Sequence, residues 1–286
     1  MKVWLNGKLV DKRNAKLSVW DHGTLYGDGV FEGIRVYNGK VFQAQAHIDR
    51  LYESAKCIRL AIPCTKQELA DSIYETLRAN KMTDSYVRLV VTRGEGYLGL
   101  SPFQCSNPNV FIITDQIALY PQEMYENGMA VIIARTVRTA PRMLNPAIKS
   151  LNYLNNIMAK IESIDAGVAE AIMLNEQGQV AECTGDNIFI VKGAQVITPP
   201  TEAGILIGIT RAVVMELAKK LHIAFAEKNI WPKDLYAAEE CFLTGTAAEV
   251  IAVTKVDGKS IGDGRVGPVT RKLFEAFRQY IRHGNW

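Results

Sequence analysis

The stretch Gly33-Ile34-Arg35-Val36-Tyr37-Asn38-Gly39-Lys40-Val41-Phe42 holds two short apolar runs joined by Asn38-Gly39. Asn-Gly supplies two residues that tolerate positive φ, which a type I′ hairpin requires. The pattern also occurs upstream, where Val3-Trp4-Leu5 and Lys8-Leu9-Val10 flank Asn6-Gly7. Two such hairpins so close together predict an antiparallel sheet. Between them lies Asp21-His22-Gly23-Thr24-Leu25-Tyr26-Gly27-Asp28-Gly29-Val30-Phe31-Glu32-Gly33, whose glycines predict a loop held near a ligand.

Downstream, Ile48, Leu51, Ala55 and Ile58 share one face of a helix over about 45–60. Thr65-Lys66-Gln67-Glu68 is a capping box that opens a second helix to about Asn80. Alternation in Ser85–Arg93 predicts a strand with Tyr86 and Arg88 on one face and Val87, Leu89 and Val91 on the other. A strand over Val110–Asp115 closes the first half. The segment 118–128, with Pro121 and no period, reads as a linker.

The second half begins with a strand over Met129–Thr136. Leu151, Leu154, Ile157, Met158, Ile161 and Ile164 then mark a helix crossing over the second sheet. A hairpin follows over Glu170–Glu182, then a strand over Asn187–Val191 and a helix from Gly208. Pro232 starts a short helix, Glu240–Thr244 and Val250–Val256 are strands, and a last helix runs from Pro268 to about Arg282. Hairpin-linked strands outnumbering helices predict an α+β fold with antiparallel or mixed sheets. The expected domains are residues 1–117 and a larger domain, 129–286, carrying Lys149.

Hydrophobic residues make up 48% of the 286, which suits a globular core. Net charge is only +3 and no basic run occurs, arguing against a nucleic-acid partner. No apolar run approaches a membrane span, and the strand-like start is unlike a signal peptide. Cys57, Cys64, Cys105, Cys183 and Cys241 form no CxxC pair, so they read as reduced thiols in a cytoplasmic protein. No HxxxH or HExxH spacing occurs and no metal site is expected. Gly94-Glu95-Gly96-Tyr97-Leu98-Gly99 matches GxGxxG, but Pro102 and Pro108 prevent the helix a dinucleotide site needs. It reads instead as a loop carrying Tyr97 and Leu98 towards a pocket.

Lys149 sits in Asn145-Pro146-Ala147-Ile148-Lys149-Ser150-Leu151-Asn152-Tyr153, between an irregular segment and the expected helix. Taken alone, a lysine is a solvated surface charge. Partly desolvated, its amine attacks carbonyls to form a Schiff base. A pyridoxal phosphate site also needs a carboxylate for the ring nitrogen, an anion cup and a donor to the ring oxygen. Glu182 stands at a strand end before a glycine turn. Gly208-Ile209-Thr210 places backbone N–H groups at a helix start, although Thr210 would also serve as a plain N-cap. Gly245-Thr246-Ala247-Ala248-Glu249 supplies another hydroxyl. Arg50 adds positive charge, and Tyr153, one helical turn beyond Lys149, would reach the ring oxygen.

Taken together, Tyr26-Gly27, Val30-Phe31-Glu32-Gly33-Ile34-Arg35, His47-Ile48-Asp49-Arg50-Leu51, Lys149 with Asn152-Tyr153, Glu182, Gly208-Ile209-Thr210-Arg211 and Gly245–Glu249 resemble the fold-type IV pyridoxal-phosphate aminotransferases. The resemblance is closest to the branched-chain amino acid aminotransferases and covers nearly the whole chain. It implies the two-domain, D-amino acid aminotransferase-like fold and pyridoxal 5′-phosphate as cofactor. It also implies Lys149 as the Schiff-base lysine and proton shuttle, with Glu182 on the pyridine nitrogen and Tyr153 on the ring oxygen. Arg50, Gly208, Ile209, Thr210 and Thr246 would hold the phosphate, with Leu206 against the ring. Substrate would meet Tyr26, Phe31, Gly33, Arg35, Tyr86, Arg88, Tyr97, Leu98, Thr246 and Ala247. Among these, Phe31 and Tyr26 would wall an apolar pocket, Tyr86 and the Thr246–Ala247 backbone would bind the α-carboxylate, and Arg88 the distal carboxylate of glutamate.

The implied reaction exchanges amino acids and 2-oxo acids in a homo-oligomer, a dimer or dimer-based hexamer. Two features point elsewhere: Lys149-Ser150-Leu151-Asn152 and His47–Ala55 are similar to D-amino acid aminotransferases. Phe31–Arg35 and Tyr86-Val87-Arg88 favour L-branched-chain substrates. An aminodeoxychorismate lyase on the same fold would not need Tyr86-x-Arg88.

Overall fold

Both Asn-Gly turns form hairpins, with Asn6 at φ 48° and Asn38 at φ 51°. The computed structural model describes residues 1–117, 120–284 and 286. They form two compact units: Met1–Ile117 with Ile148–Asn152 and Trp286, and Ala118–Ala147 with Tyr153–Asn285.

The first unit is a six-stranded antiparallel sheet with helices on it. Its strands are β1 (Lys2–Leu5), β2 (Lys8–Asp11), β3 (Gly29–Tyr37), β4 (Lys40–Val41), β5 (Ser85–Thr92) and β6 (Asn109–Asp115), in the order β2-β1-β6-β5-β3-β4. Helices α1 (His22–Tyr26), α2 (Ala44–Cys57) and α3 (Lys66–Asn80) complete it, and Thr65 with Glu68 forms the expected capping box. The core joins Ile48, Leu51 and Ala55 of α2 and Leu69, Ile73 and Leu77 of α3 to Val30, Ile34, Val87, Leu89 and Val91 of the sheet.

The segment expected as a ligand loop is ordered otherwise. Asp21 caps α1, accepting from Gly23 N at 2.6 Å, and β3 begins at Gly29 and is buried along most of its length. The glycines serve packing: a Cβ on Gly29 would stand 2.5 Å from Val91 O.

The second unit is a mixed sheet. Its strands are β7 (Met129–Ile133), β8 (Glu170–Leu174), β9 (Val180–Cys183), β10 (Asn187–Lys192), β11 (Gln195–Thr198), β12 (Phe225–Glu227), β13 (Glu240–Gly245), β14 (Glu249–Val256) and β15 (Lys259–Ser260). The order is β12-β11-β10-β13-β14-β7-β8-β9, with β15 on β14. Sequence periodicity does not reveal β11, β12 or β15, which are two to four residues long. β7 runs parallel to both β8 and β14, and β11 parallel to β12. Parallel neighbours need crossovers, supplied by α5 (Leu154–Asp165) and α6 (Ile209–Lys220). Helices α7 (Pro232–Tyr236) and α8 (Pro268–His283) complete the unit.

Three further expectations change. Residues 118 and 119 of the expected linker lie outside the described residues, while Gln122–Asn127 is a helix, α4. Lys149 belongs to the first unit, because Ile148–Asn152 adds to the edge of β3: Phe31 N donates to Lys149 O at 3.0 Å and Leu151 N to Gly29 O at 2.9 Å. Finally, α5 starts at Leu154, and its apolar stripe faces outward. Leu154, Ile157, Met158, Ile161 and Ile164 are 43% to 69% exposed, while Asn156, Ala159 and Ser163 are buried. Periodicity shows which residues share a face; the small side chains Ala134, Ala159 and Ala171 decide which face packs on the sheet.

Candidate functional site

In the first unit, several of the side chains singled out from the sequence gather on the β3–β5 face opposite the helices. Register sets Phe31 beside Val90, Gly33 beside Arg88 and Arg35 beside Tyr86, and cross-strand partners share a face. The Arg88 guanidinium lies 4.6 Å above the Phe31 ring and 5.6 Å from the Tyr86 ring. Lys149 Nζ lies 4.7 Å from the same Phe31 ring. An amine and a guanidinium therefore share one aromatic wall, an arrangement favoured by the ring's quadrupole. Gly33 keeps the face low: a Cβ there would fall 1.7 Å from Tyr86 Oη. Arg35 Nη1 donates to Ile117 O at 3.2 Å and its guanidinium stacks 5.1 Å from Tyr37.

The backbone around Lys149 is fixed from several sides. Lys149 N donates to Ser54 Oγ at 3.1 Å, and Asn152 Nδ2 to Gly27 O at 2.8 Å. Ser150 N donates to Ile148 O at 2.8 Å, a tight turn about Lys149, and Tyr153 is the residue just before α5, so the two are not one helical turn apart. Tyr26 Oη donates to Leu98 O, and His22 Nε2 lies 2.7 Å from Tyr97 O. These contacts tether the Gly94–Gly99 segment, whose Tyr97 and Leu98 side chains are exposed. A short 3-10 turn, Pro102–Gln104, follows it in place of a dinucleotide-binding helix.

Arg50 is held from beneath. Its Nε and Nη2 donate to Glu32 Oε1 and Oε2 at 2.7 and 2.8 Å, a bidentate pair. His47 Nδ1 lies 2.7 Å from Glu32 Oε2. Burial works to raise the Glu32 pKa, but Arg50 and His47 outweigh it and bring it to about 2. Burial lowers the pKa of His47, only partly opposed by Glu32. Sequence reading singles out Arg50 but misses Glu32 and His47 as its support; the 15 and 18 positions that separate Glu32 from its partners leave no local signal.

In the second unit, Glu182 on β9 is buried and accepts hydrogen bonds at both oxygens. Arg138 Nε reaches Oε1 at 2.9 Å, while Leu206 N at 2.9 Å and Asn187 Nδ2 at 3.3 Å reach Oε2. Asn187 also donates to Leu206 O at 3.0 Å, and a Cβ on Gly208 would meet Asn187 Oδ1 at 1.9 Å. Arg138 and Asn187 are the residues that sequence reading misses here. Gly208, rather than Thr210, is the N-cap of α6. Thr210 lies inside the first turn, buried, and its Oγ1 has no hydrogen-bond partner among the described residues. A hydroxyl orphaned at the N-terminus of a twelve-residue helix is a ready anion donor, so these residues fit the phosphate of pyridoxal phosphate. Ile209 opens the same turn. Thr246 and Ala247 sit, half-buried, in the tight turn joining β13 to β14.

Comparison with known proteins agrees with this chemistry. The class IV amino-transferase family profile matches residues 29–256. The chain is 52% identical to a Methanocaldococcus jannaschii protein provisionally named a branched-chain-amino-acid aminotransferase, over 97% of this chain and 96% of that one. It is similar to the crystal structure of the Escherichia coli branched-chain amino acid aminotransferase, with TM-score 0.95 and 35% identity over 98% of this chain and 94% of that chain. It also resembles the crystal structure of the branched-chain aminotransferase from the thermophilic archaeon Thermoproteus uzoniensis with norvaline, with TM-score 0.93 and 39% identity over 100% of this chain and 96% of that chain.

Proposed function

Because the chain belongs to the class IV amino-transferases, we propose that it is a branched-chain-amino-acid transaminase. It moves the amino group of L-leucine, L-isoleucine or L-valine to 2-oxoglutarate, giving the branched 2-oxo acid and L-glutamate. Pyridoxal 5′-phosphate, when bound, supplies an aldehyde and a ring that takes up the electrons left by a departing α-proton. Lys149 Nζ would hold that aldehyde and, once the substrate amine has displaced it, would be the free amine that carries the proton between Cα and C4′. Glu182 keeps a proton on the ring nitrogen, and Arg138 and Asn187 hold its carboxylate in place. Tyr153 donates to the ring oxygen and Leu206 packs on the ring. Arg50, Gly208, Ile209, Thr210 and Thr246 bind the phosphate.

Phe31 and Tyr26 wall the side-chain pocket, with Gly33, Arg35, Tyr97 and Leu98 contributing. Tyr86 and the Thr246–Ala247 backbone take the α-carboxylate, and Arg88 the distal carboxylate of glutamate. The observation that carries this reading is the Phe31 ring with Lys149 Nζ on it at 4.7 Å and Arg88 at 4.6 Å. An apolar surface beside a fixed cation suits alternate apolar and acidic substrates.

We infer a homo-oligomer, supported by the exposed apolar stripe of α5. Free thiols suit a cytoplasmic setting. Among the described residues, no helix is long and apolar enough to cross a membrane.

The test is spectroscopic. Purified protein with pyridoxal phosphate should be yellow, and L-leucine or L-valine should bleach it while releasing one 2-oxo acid per site. A response to D-alanine alone would assign the D-amino acid reaction instead. In Lys149→Ala the colour shift should vanish and kcat fall by about a thousandfold or more.

A further inference from the structure

Near Glu182 the second unit buries two more carboxylates. Glu170 opens β8 and Asp186 precedes β10; they are 3% and 6% exposed. Tyr120 Oη lies 3.4 Å from Glu170 Oε2 and 3.4 Å from Asp186 Oδ2. A phenol has one proton to give. If it donates to one carboxylate, its lone pairs face the other, and that contact attracts only when the second carboxyl carries a proton itself.

The remaining donors show which acid that is. Glu170 Oε1 receives Thr184 Oγ1 at 2.5 Å, Ala171 N at 2.8 Å and Thr184 N at 3.1 Å, and Lys160 Nζ stands 3.6 Å from Oε2. Asp186 takes no side-chain donor other than Tyr120 among the described residues. Its Oδ1 sits 1.8 Å from where a Cβ on Gly245 would be, so this oxygen lies against the start of the Thr246–Ala247 turn.

We propose that folded Asp186 keeps its proton through mildly acidic pH, up to the edge of neutrality, and donates it to Tyr120 Oη, which donates in turn to Glu170 Oε2. Asp186 is then a positioning residue: it supports the Gly245 turn and limits negative charge beside Glu182. The charged and titratable groups around it fit that assignment. Glu170 and Glu182 are matched by Lys160 and Arg138, and a third carboxylate would be uncompensated. Cys183 adds no charge, since burial holds its thiol protonated. Burial, and next the charge of Glu170, push Asp186 up to about 7, with Lys160 pulling the other way. The link to the cofactor rests on the proposed role of Glu182; the proton itself does not.

Infrared difference spectra of the full chain, recorded with and without pyridoxal phosphate, test the proposal. A protonated-carboxyl band should titrate away near neutrality, be absent in Asp186→Asn and shift in frequency in Tyr120→Phe. In thermal unfolding, the Tm advantage of Asp186→Asn over the parent should grow from about pH 4 to about pH 7 and then level off. Over that range the unfolded aspartate gives up its proton while the folded one keeps it. Absence of the band at about pH 5.5, its persistence in Asp186→Asn, or Tm curves that run parallel would overturn the assignment. Should the Asn variant not fold, the parent titration and Tyr120→Phe decide. A Glu182→Gln protein that keeps both its cofactor response and the band would revise only the role of Glu182.

Discussion

Gly33 lies under Tyr86, two residues out of register across the β3–β5 pair, and the tyrosine hydroxyl occupies space a Gly33 side chain would need. The overlap distance is 1.7 Å, too short for any methyl group to share. This glycine therefore sets how far Tyr86 can lean over the face that carries Phe31 and Arg88.

Gly33→Ala should push the Tyr86 hydroxyl aside while the strand itself persists. The expected result is a rise in KM for L-leucine of about tenfold, roughly 1.4 kcal/mol, with circular dichroism unchanged. Because Tyr86 Cζ would also stand 2.6 Å from the added Cβ, it takes Tyr86→Ala, not Tyr86→Phe, to relieve the clash, restoring Tm but not KM. Unchanged steady-state kinetics in Gly33→Ala would remove Tyr86 from substrate binding.

Glu32 couples stability to acid. Its folded pKa of about 2 lies below the ordinary 4.5, so its contribution is complete above about pH 4.5 and is lost as pH falls towards 2. The shift corresponds to roughly 3 kcal/mol. Urea unfolding of Glu32→Gln should show lower stability at pH 7, by about 3 kcal/mol or more, because Arg50 and His47 lose their shared carboxylate. The variant should also show a shallower decline between about pH 4.5 and about pH 2.5. Parallel pH curves would mean the carboxylate is not ionised in the fold.

Removing the cation beside Glu182 should act through the ring nitrogen. Arg138→Met removes the guanidinium on Oε1 and keeps Leu206 N and Asn187 Nδ2 on Oε2, neither of them charged. Equilibrium dialysis should show pyridoxal phosphate bound about tenfold more weakly or worse, with kcat reduced, and Arg138→Lys should recover part of both. Full affinity and rate in Arg138→Met would show that Glu182 needs no orienting partner.

The outward stripe of α5 predicts association. Ile157→Lys with Ile161→Glu places charges at two positions that are 50% and 43% exposed, so the fold should tolerate them. Light scattering should show a smaller assembly than the parent. An unchanged mass would place the subunit contact on another face.

Much of the architecture is legible in local chemistry. The Asn-Gly turns, the Thr65–Glu68 box and the alternation of Ser85–Thr92 each encode their structure within a few residues. Lys149, Glu182 and Thr210 likewise stand out from their neighbours in sequence. What stays hidden depends on distance along the chain. Arg138 comes from an aperiodic stretch and meets Glu182 across 44 positions. The inward face of α5 escapes periodicity because Asn156, Ala159 and Ser163 carry little hydrophobic signal, although Asn156 donates to Thr184 O at 2.8 Å. Glu32, flanked by apolar neighbours in a buried strand, gives no hint of its partners on α2.

Five residues, Ile148–Asn152, complete an edge that begins at Gly29, with a long run of the other unit on either side. During synthesis, then, the amino-terminal sheet emerges with a vacant flank and cannot finish until more than half of the polypeptide has left the ribosome. Transplanting residues 1–117 onto a foreign partner would leave Ile148–Asn152 and Lys149 behind, so the first unit is inherited, or engineered, only together with the second.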